Sequence, residues 1–257
     1  MDYIAPFLLG IAILLVFLVR NQRQLQEKRQ KIGVKEHRMS SFLHGLGEAL
    51  QTSRTREELH QFILKGAMEV VEGAQGALYL LDMKQVRLVP KAMSRQCPPL
   101  LPQLLPNYDP TDPARLRSDL LLETVSTDDA DSILVGCLSK RESLHVEDLS
   151  NHPAFGDASP SDRKKICCDA MLAPMYFGES DLGVMVVLRE NGAASFDSND
   201  FAVFGLLADQ CSLALGTDQL SRQSIAQQRL EEEILNARDV QRILLPDKAP
   251  PLSGYRI

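Results

Sequence analysis

Residues 170–188 read Ala170-Met-Leu-Ala-Pro-Met-Tyr-Phe177, Gly178-Glu-Ser-Asp181, Leu182-Gly-Val-Met-Val-Val-Leu188. Two apolar runs flank four polar residues, the pattern of a β-hairpin whose strands face a core. The first strand carries Pro174 inside it, and the second is the most apolar strand of the chain. Upstream, Ala77-Leu-Tyr-Leu-Leu81 is a short apolar run between Gly76 and Asp82 and predicts a buried strand. Residues 82–85 turn the chain into a second strand over 86–92. Before them, Thr55-Arg-Glu-Glu58 is a capping box that opens a helix with Leu59, Phe62, Ile63, Met68, Val70 and Val71 on its apolar face, ended by Gly73 and Gly76.

Between these two hairpin-like units the pattern is irregular. Six prolines, at 98, 99, 102, 106, 110 and 113, predict a loop over 95–113. A short helix is expected at 114–123, a helix over 128–140, a short strand at Leu144-His-Val146, and loop over 151–162. Downstream of the hairpin, Asp197 is suited to cap a helix with Asp200 at its third position. Phe201, Phe204, Ala208, Cys211 and Leu215 then fall on one face. The resulting order predicts an α+β fold, an antiparallel sheet with helices packed mainly on one side.

Met171-Leu-Ala-Pro-Met175, Gly183-Val-Met-Val-Val187, Phe196-Asp-Ser-Asn-Asp-Phe201 and Leu207-Ala-Asp-Gln210 together resemble the GAF domain, a small-molecule and dimerisation module. Members of that family carry similar Ala-Pro-Leu, Gly-Val-Leu and Phe-x-x-x-Asp patterns at these spacings. The resemblance covers residues 53–217. It implies a sensor with a pocket between the sheet and the segment 128–165, lined by Tyr79, His145, Phe155, Arg163, Met171 and Met175. For Met171 and Met175 the competing reading is ordinary core, and for Arg163, beside Lys164 and Lys165, a solvated basic face.

From Asp197 to Leu245 one nearly unbroken helix is expected, roughly 70 Å long at about 1.5 Å per residue. Leu230, Ile234, Ala237 and Leu244 recur at spacings of four, three and seven, with Gln241 between them and Val240 alongside. So narrow a seam predicts a signalling helix over 218–245 that is marginal alone and is stabilised by pairing, most simply in a homodimer. Ala237-Arg-Asp-Val-Gln-Arg-Ile-Leu-Leu-Pro246 resembles the junction into the catalytic domain of bacterial SpoIIE-type phosphatases of the metal-dependent PPM serine/threonine family. That resemblance implies that residues 246–257 begin a phosphatase domain whose Mg or Mn ligands and phosphoprotein substrate site lie beyond Ile257. A GAF scaffold without a catalyst, or a GAF input to a nucleotide cyclase or histidine kinase, is the alternative.

Residues 4–19 form an uninterrupted apolar run of 16, short for a helix across a bilayer but extendable by Tyr3 and a snorkelling Arg20. Residues 20–38 hold seven Lys or Arg against two Glu. The positive-inside rule then predicts a single-pass anchor at 1–20 in the inner membrane, amino terminus outside, with the rest in the cytoplasm. A juxtamembrane helix is expected at 21–52, with Gly33 a candidate break and Phe42, Leu43, Leu46, Ala49 and Leu50 at helical spacing. The same basic stretch suits anionic lipid headgroups.

The 257 residues are 44% hydrophobic and 24% charged, a globular composition, with a net charge of -6 and no Trp. An acidic chain with 5% aromatics is unsuited to binding nucleic acid. Its five cysteines, Cys97, Cys137, Cys167, Cys168 and Cys211, form no Cys-x-x-Cys and read as reduced thiols, mostly small buried hydrophobes. Sulfoxide reduction by Cys137, Cys167 and Cys168 is disfavoured by the anchor and the long helix, and tetrapyrrole binding by the lack of a Cys-His pair. His37, His44, His60, His145 and His152 are scattered, and no phosphate loop or zinc spacing occurs. No catalytic or metal residue, and no resident cofactor, is assigned within these residues. Asp239 and Asp247 belong to the junction.

Overall fold

The structure is a computed structural model that describes residues 20, 22, 33–51, 55–109, 124–190 and 192–244. The expectations for the apolar run 4–19, the helix at 114–123 and the tail 246–257 lie outside those residues. Among the described residues no helix is long and apolar enough to cross a membrane. The chain divides into two compact units, one ending at Ala214 and one starting at Leu215.

The first unit opens with helix α1 (33–51), which buries Phe42, Leu46 and Ala49. Helix α2 (Arg56–Val70) starts as its sequence dictates. The Thr55 hydroxyl accepts from the Glu58 amide at 3.3 Å, and the Glu58 carboxylate accepts from the Thr55 amide at 2.9 Å. Glu72 (φ 55°), not a glycine, takes the left-handed position after the helix, and the Gly73 amide closes back on the Met68 carbonyl at 2.8 Å.

Six strands follow: β1 (Gln75–Leu81), β2 (Arg87–Met93), β3 (Val125–Ser126), β4 (Leu144–Val146), β5 (Cys168–Phe177) and β6 (Ser180–Glu190). They pair antiparallel in the order β3-β2-β1-β6-β5-β4. The 170–188 hairpin therefore supplies two of the central strands, which is why its residues are the most continuously apolar. Gly183 sits at φ +157°, where a Cβ would lie 2.0 Å from the Tyr79 carbonyl oxygen, so only glycine lets β6 approach β1 there.

The long helices lie on one face of the sheet, as expected, and short helical segments cover the other. Leu64 and Met68 of α2 lie beside Gly76 on one face. On the other, the described residues between β2 and β5 form a lid. It contains a 3-10 turn (Pro102–Asn107), helix α3 (Ile133–Lys140), short turns at Leu149–Asn151 and Pro153–Phe155, and helix α4 (Pro160–Arg163). The loops expected at 95–113 and 151–162 are thus partly helical. The helix expected from 128 begins at Ile133 instead. Asp128 and Asp129 make a turn, with the Asp129 amide bonded to the Ser126 carbonyl and the Ser132 amide to the Asp129 carbonyl. The two-residue β3 is too short to show a period in the sequence.

Helix α5 (Ser198–Leu244) is one element of 47 residues. Asp197 and Asp200 cap it reciprocally: the Asp197 carboxylate accepts from the Asp200 amide at 2.7 Å and the Asp200 carboxylate from the Asp197 amide at 3.1 Å. In the first unit it buries Phe204, Leu207, Ala208 and Cys211. In the second unit every described side chain from Gln219 to Gln241 is exposed.

Candidate functional site

The period of two along a strand decides what the sheet can present to a ligand. Ala77 and Tyr79 of β1, Ala170 and Leu172 of β5, and Val184, Val186 and Leu188 of β6 share the lid-side core with Leu100, Leu105, Tyr108, Leu134, Phe155 and Ile166. Their neighbours Leu78, Met171, Met175, Met185 and Val187 point to the other face and are wholly buried there. The register agrees: Met171 stands opposite Val187 and His145, while Tyr79 stands opposite Val184.

The six residues expected to line one pocket are therefore divided. Tyr79 and Phe155 are on the lid side, packed among apolar side chains. His145, Met171 and Met175 are on the helix side, separated from them by the thickness of the sheet. Arg163, the last residue of α4, is half-buried, and its Nε is buried without a hydrogen-bond partner. Reading the segment as one wall missed the alternation of His145 between Leu144 and Val146, which both join the lid-side core.

On the helix side, His145 takes part in a compact polar joint. Its Nε2 lies 2.8 Å from Asp169 Oδ1, and its ring meets Phe196 and Phe201 at centroid distances of 6.3 and 6.1 Å. Asp169 is 5% exposed, and its Oδ2 accepts from the Phe196 amide at 2.7 Å. A carboxylate this deep needs such partners to stay charged. Beside it Arg189 lies 3.9 Å above the Phe196 ring. It donates to the Val71, Glu72 and Ala194 carbonyls at 2.6, 3.3 and 2.8 Å, a cation at the C-terminal end of α2. Asp200 completes the joint, pairing with Lys35 of α1 at 2.5 Å and with Arg189 at 3.7 Å. Asp169 lies just before the strand expected from Ala170 and was missed, because β5 starts two residues earlier, at Cys168. Lys35 and Arg189 gave no signal beyond their charge.

The lid carries a groove of about 520 Å³ between α3, β4 and the turn at 152–157. Ser132, Cys137, Lys140, Glu142, His152 and Asp157 contribute to its walls. The His152 Nδ1 accepts from the Ala154 amide at 3.2 Å, so the neutral ring carries its proton on Nε2, and burial lowers its pKa. Ser132 occupies the N-cap of α3 without a side-chain capping bond. Mixed charge on a partly apolar wall suits a small polar organic molecule better than a metal ion. Among the described residues no group of three or more His, Cys, Asp or Glu is placed to hold a metal.

Four of the thiols are not poised for chemistry. Burial pushes Cys137, Cys168 and Cys211 up to about 12, and Cys97 higher, so all four stay protonated at neutral pH. The Cys137 Sγ is satisfied by the Glu142 carbonyl at 3.4 Å.

Solved structures share this fold. A segment of a methyl-accepting chemotaxis protein, residues 122 to 287, matches at 18% identity over 68% of this chain and 97% of that one, TM-score 0.50. The GAF domain/HD domain protein from Geobacter sulfurreducens matches at 17% identity over 69% and 98%, TM-score 0.50. The GAF domain of a phosphoenolpyruvate-protein phosphotransferase from Coxiella burnetii matches at 11% identity over 72% and 96%, TM-score 0.52. No curated protein matches. The family model described as GAF domain matches residues 53–216, the span that holds the six-stranded sheet, its lid and the start of α5, and with the architecture above it establishes that the chain belongs to the GAF domain family.

Proposed function

We propose that this GAF domain is the sensory input of a membrane-anchored bacterial SpoIIE-type phosphatase. GAF domains are sensor modules, commonly regulatory in signalling proteins. The observation that carries the reading is the single helix Ser198–Leu244, which leaves the GAF core and runs without a break into the junction-like sequence 237–246. The apolar run at 4–19 and the basic stretch behind it supply the anchor, with the GAF domain on the cytoplasmic side. A small polar molecule in the groove beside α3 is the signal, and its binding biases two arrangements of the output helix. Mg or Mn belongs to the attached phosphatase, and a phosphoprotein is its substrate.

The test is the reading frame beyond Ile257 and the activity of its product. The expected result is a continuation with spaced aspartates and manganese-dependent release of phosphate from a phosphoserine or phosphothreonine peptide. Leu230→Pro in that protein should leave the GAF core folded and remove regulation of the phosphatase. A frame encoding a cyclase or kinase, or no further domain, would overturn the phosphatase assignment.

A further inference from the structure

The groove beside α3 holds a hydroxyl that the fold itself does not use. Ser132 is the N-cap of α3, where a serine ordinarily turns its Oγ onto an amide of the first helical turn. Here no such bond forms. The side chain is 7% exposed, and its Oγ is buried without a hydrogen-bond partner. A buried hydroxyl left unpaired is destabilising, so its position calls for a partner from outside the chain. The Gly136 amide closes on the Ser132 carbonyl at 2.9 Å. The amides of Ile133, Leu134 and Val135 are then the ones the helix leaves without an intrahelical acceptor. Ser132 and Ile133 both line the groove. One end of it thus offers a hydroxyl and the positive end of a helix to an incoming oxygen.

The charges around that end limit the molecule to which the oxygen belongs. Among the described residues, Asp131, Glu142 and Asp157 line the groove against one cation, Lys140. Three carboxylates against one ammonium leave the walls net negative, so phosphate, a nucleotide or a dicarboxylate is repelled. A ligand that brings its own ammonium is attracted. An α-amino acid carries both groups on one carbon: its carboxylate suits the helix end and Ser132, and its ammonium suits the carboxylates. Ile133, Pro153 and Ala154 leave apolar wall for an uncharged side chain. At about 520 Å³ the groove has room for such a molecule and its bound water. The interior between sheet and lid is a different place, filled by Tyr79, Leu134 and Phe155.

We propose that the groove is a receptor site for a free neutral α-amino acid, its carboxylate held by the Ser132 hydroxyl and the first-turn amides of α3 and its ammonium by Asp131 and Asp157. A turn about χ1 of Ser132 brings the buried Oγ to the carboxylate. This rests on the reading of the groove as the place where the signal binds, and names the chemical class of that signal.

The test is isothermal titration calorimetry of the 257-residue chain in detergent, with L-alanine, L-valine, L-leucine, L-serine and L-glutamine added one at a time. For each that binds, the α-amide and the deaminated acid serve as analogues. The expected result is saturable binding of at least one amino acid at about 1 mM or tighter, with both analogues at least about tenfold weaker. Ser132→Ala should weaken binding about tenfold or more. It should also leave the melting temperature of the ligand-free chain within about 2 °C, because the hydroxyl has no internal bond to lose. Ser132→Asp puts a carboxylate where the ligand's belongs, and should abolish binding while the ligand-free chain melts no lower. D131N/D157N should weaken the amino acid at least about tenfold and tighten the deaminated acid. No saturable heat from any of the amino acids, unchanged affinity in Ser132→Ala, or a clearly lower melting temperature for that ligand-free variant would overturn the proposal. None of these results bears on whether a phosphatase follows Ile257, which the reading frame and its assay decide separately.

Discussion

Asp200→Asn isolates the joint between α1 and α5. The native carboxylate is buried and serves three groups at once: the Asp197 amide at 3.1 Å, the Lys35 ammonium at 2.5 Å and the Arg189 guanidinium at 3.7 Å. Asparagine keeps an oxygen for the amide but removes the negative charge. Lys35 and Arg189, with side chains 14 and 12% exposed, then face each other's charge without a counter-ion. Breaking a buried pair costs about 3–5 kcal/mol. Arg189 retains its three carbonyls and the Phe196 ring, and Lys35 retains some solvent, so we expect about 2–3 kcal/mol. Urea denaturation followed by circular dichroism measures it. Lys35→Met alone should cost less, because Asp200 keeps Arg189, and adding it to Asp200→Asn should recover part of the loss. Additive effects, or a loss below about 0.5 kcal/mol for Asp200→Asn, would refute the joint.

Three further outcomes follow from single sites. Gly183→Ala places a methyl 2.0 Å from the Tyr79 oxygen and 2.7 Å from the Leu80 Cα, both backbone, and should cost at least about 3 kcal/mol; an unchanged urea midpoint would contradict the β1–β6 geometry. Cys137, Cys168 and Cys211 keep their protons when folded but ionise above 9.0 when unfolded, so stability should be full below pH 9 and fall from there towards about 12. The loss should be about 1.4 kcal/mol per thiol per pH unit, and replacing these three by alanine should make it shallower in urea titrations at pH 8–10.5, leaving the part due to Cys97, which burial also raises. His152 works in the opposite direction: half-buried, with its pKa lowered by that burial when folded, it takes a proton more readily in the unfolded chain from pH 6.5 downward, so stability falls as pH falls through that value. His152→Asn keeps an acceptor for the Ala154 amide and should flatten the stability profile between about pH 7 and 5.5.

What the sequence disclosed follows how local each determinant is. The Thr55–Glu58 box, the Asp197–Asp200 box and the 170–188 hairpin are written within a few consecutive residues, and the structure has each of them. The lid was less legible because its turns are set by contacts made far along the chain. Lys165, for example, ties itself to the Leu105 carbonyl at 2.9 Å. The candidate pocket failed to assemble for a different reason. Residues 79, 145, 171 and 175 were grouped by closeness to one segment, whereas faces alternate along each strand and the register between strands sets Tyr79 opposite Val184 but Met171 opposite Val187. Within β4 the period of two sets His145 apart from Leu144 and Val146, which share the lid-side core with Tyr79.

That separation bears on how a signal in the lid would reach α5. Among the described residues, the sheet separates the lid-side strand side chains from α5, so a displacement would pass through the backbone of a strand. β4 offers one such path. Its Leu144 and Val146 pack into the lid-side core, while His145 between them holds Asp169 Oδ1. The same carboxylate holds the Phe196 amide with its other oxygen, two residues before the helix begins at Ser198. A shift of β4 along or across its neighbour thus pulls on a charged hydrogen bond to the start of α5, while Lys35 holds the first turn of that helix from α1 through Asp200. Asp169 and Asp200 thus tie the start of α5 to β4 and to α1 respectively.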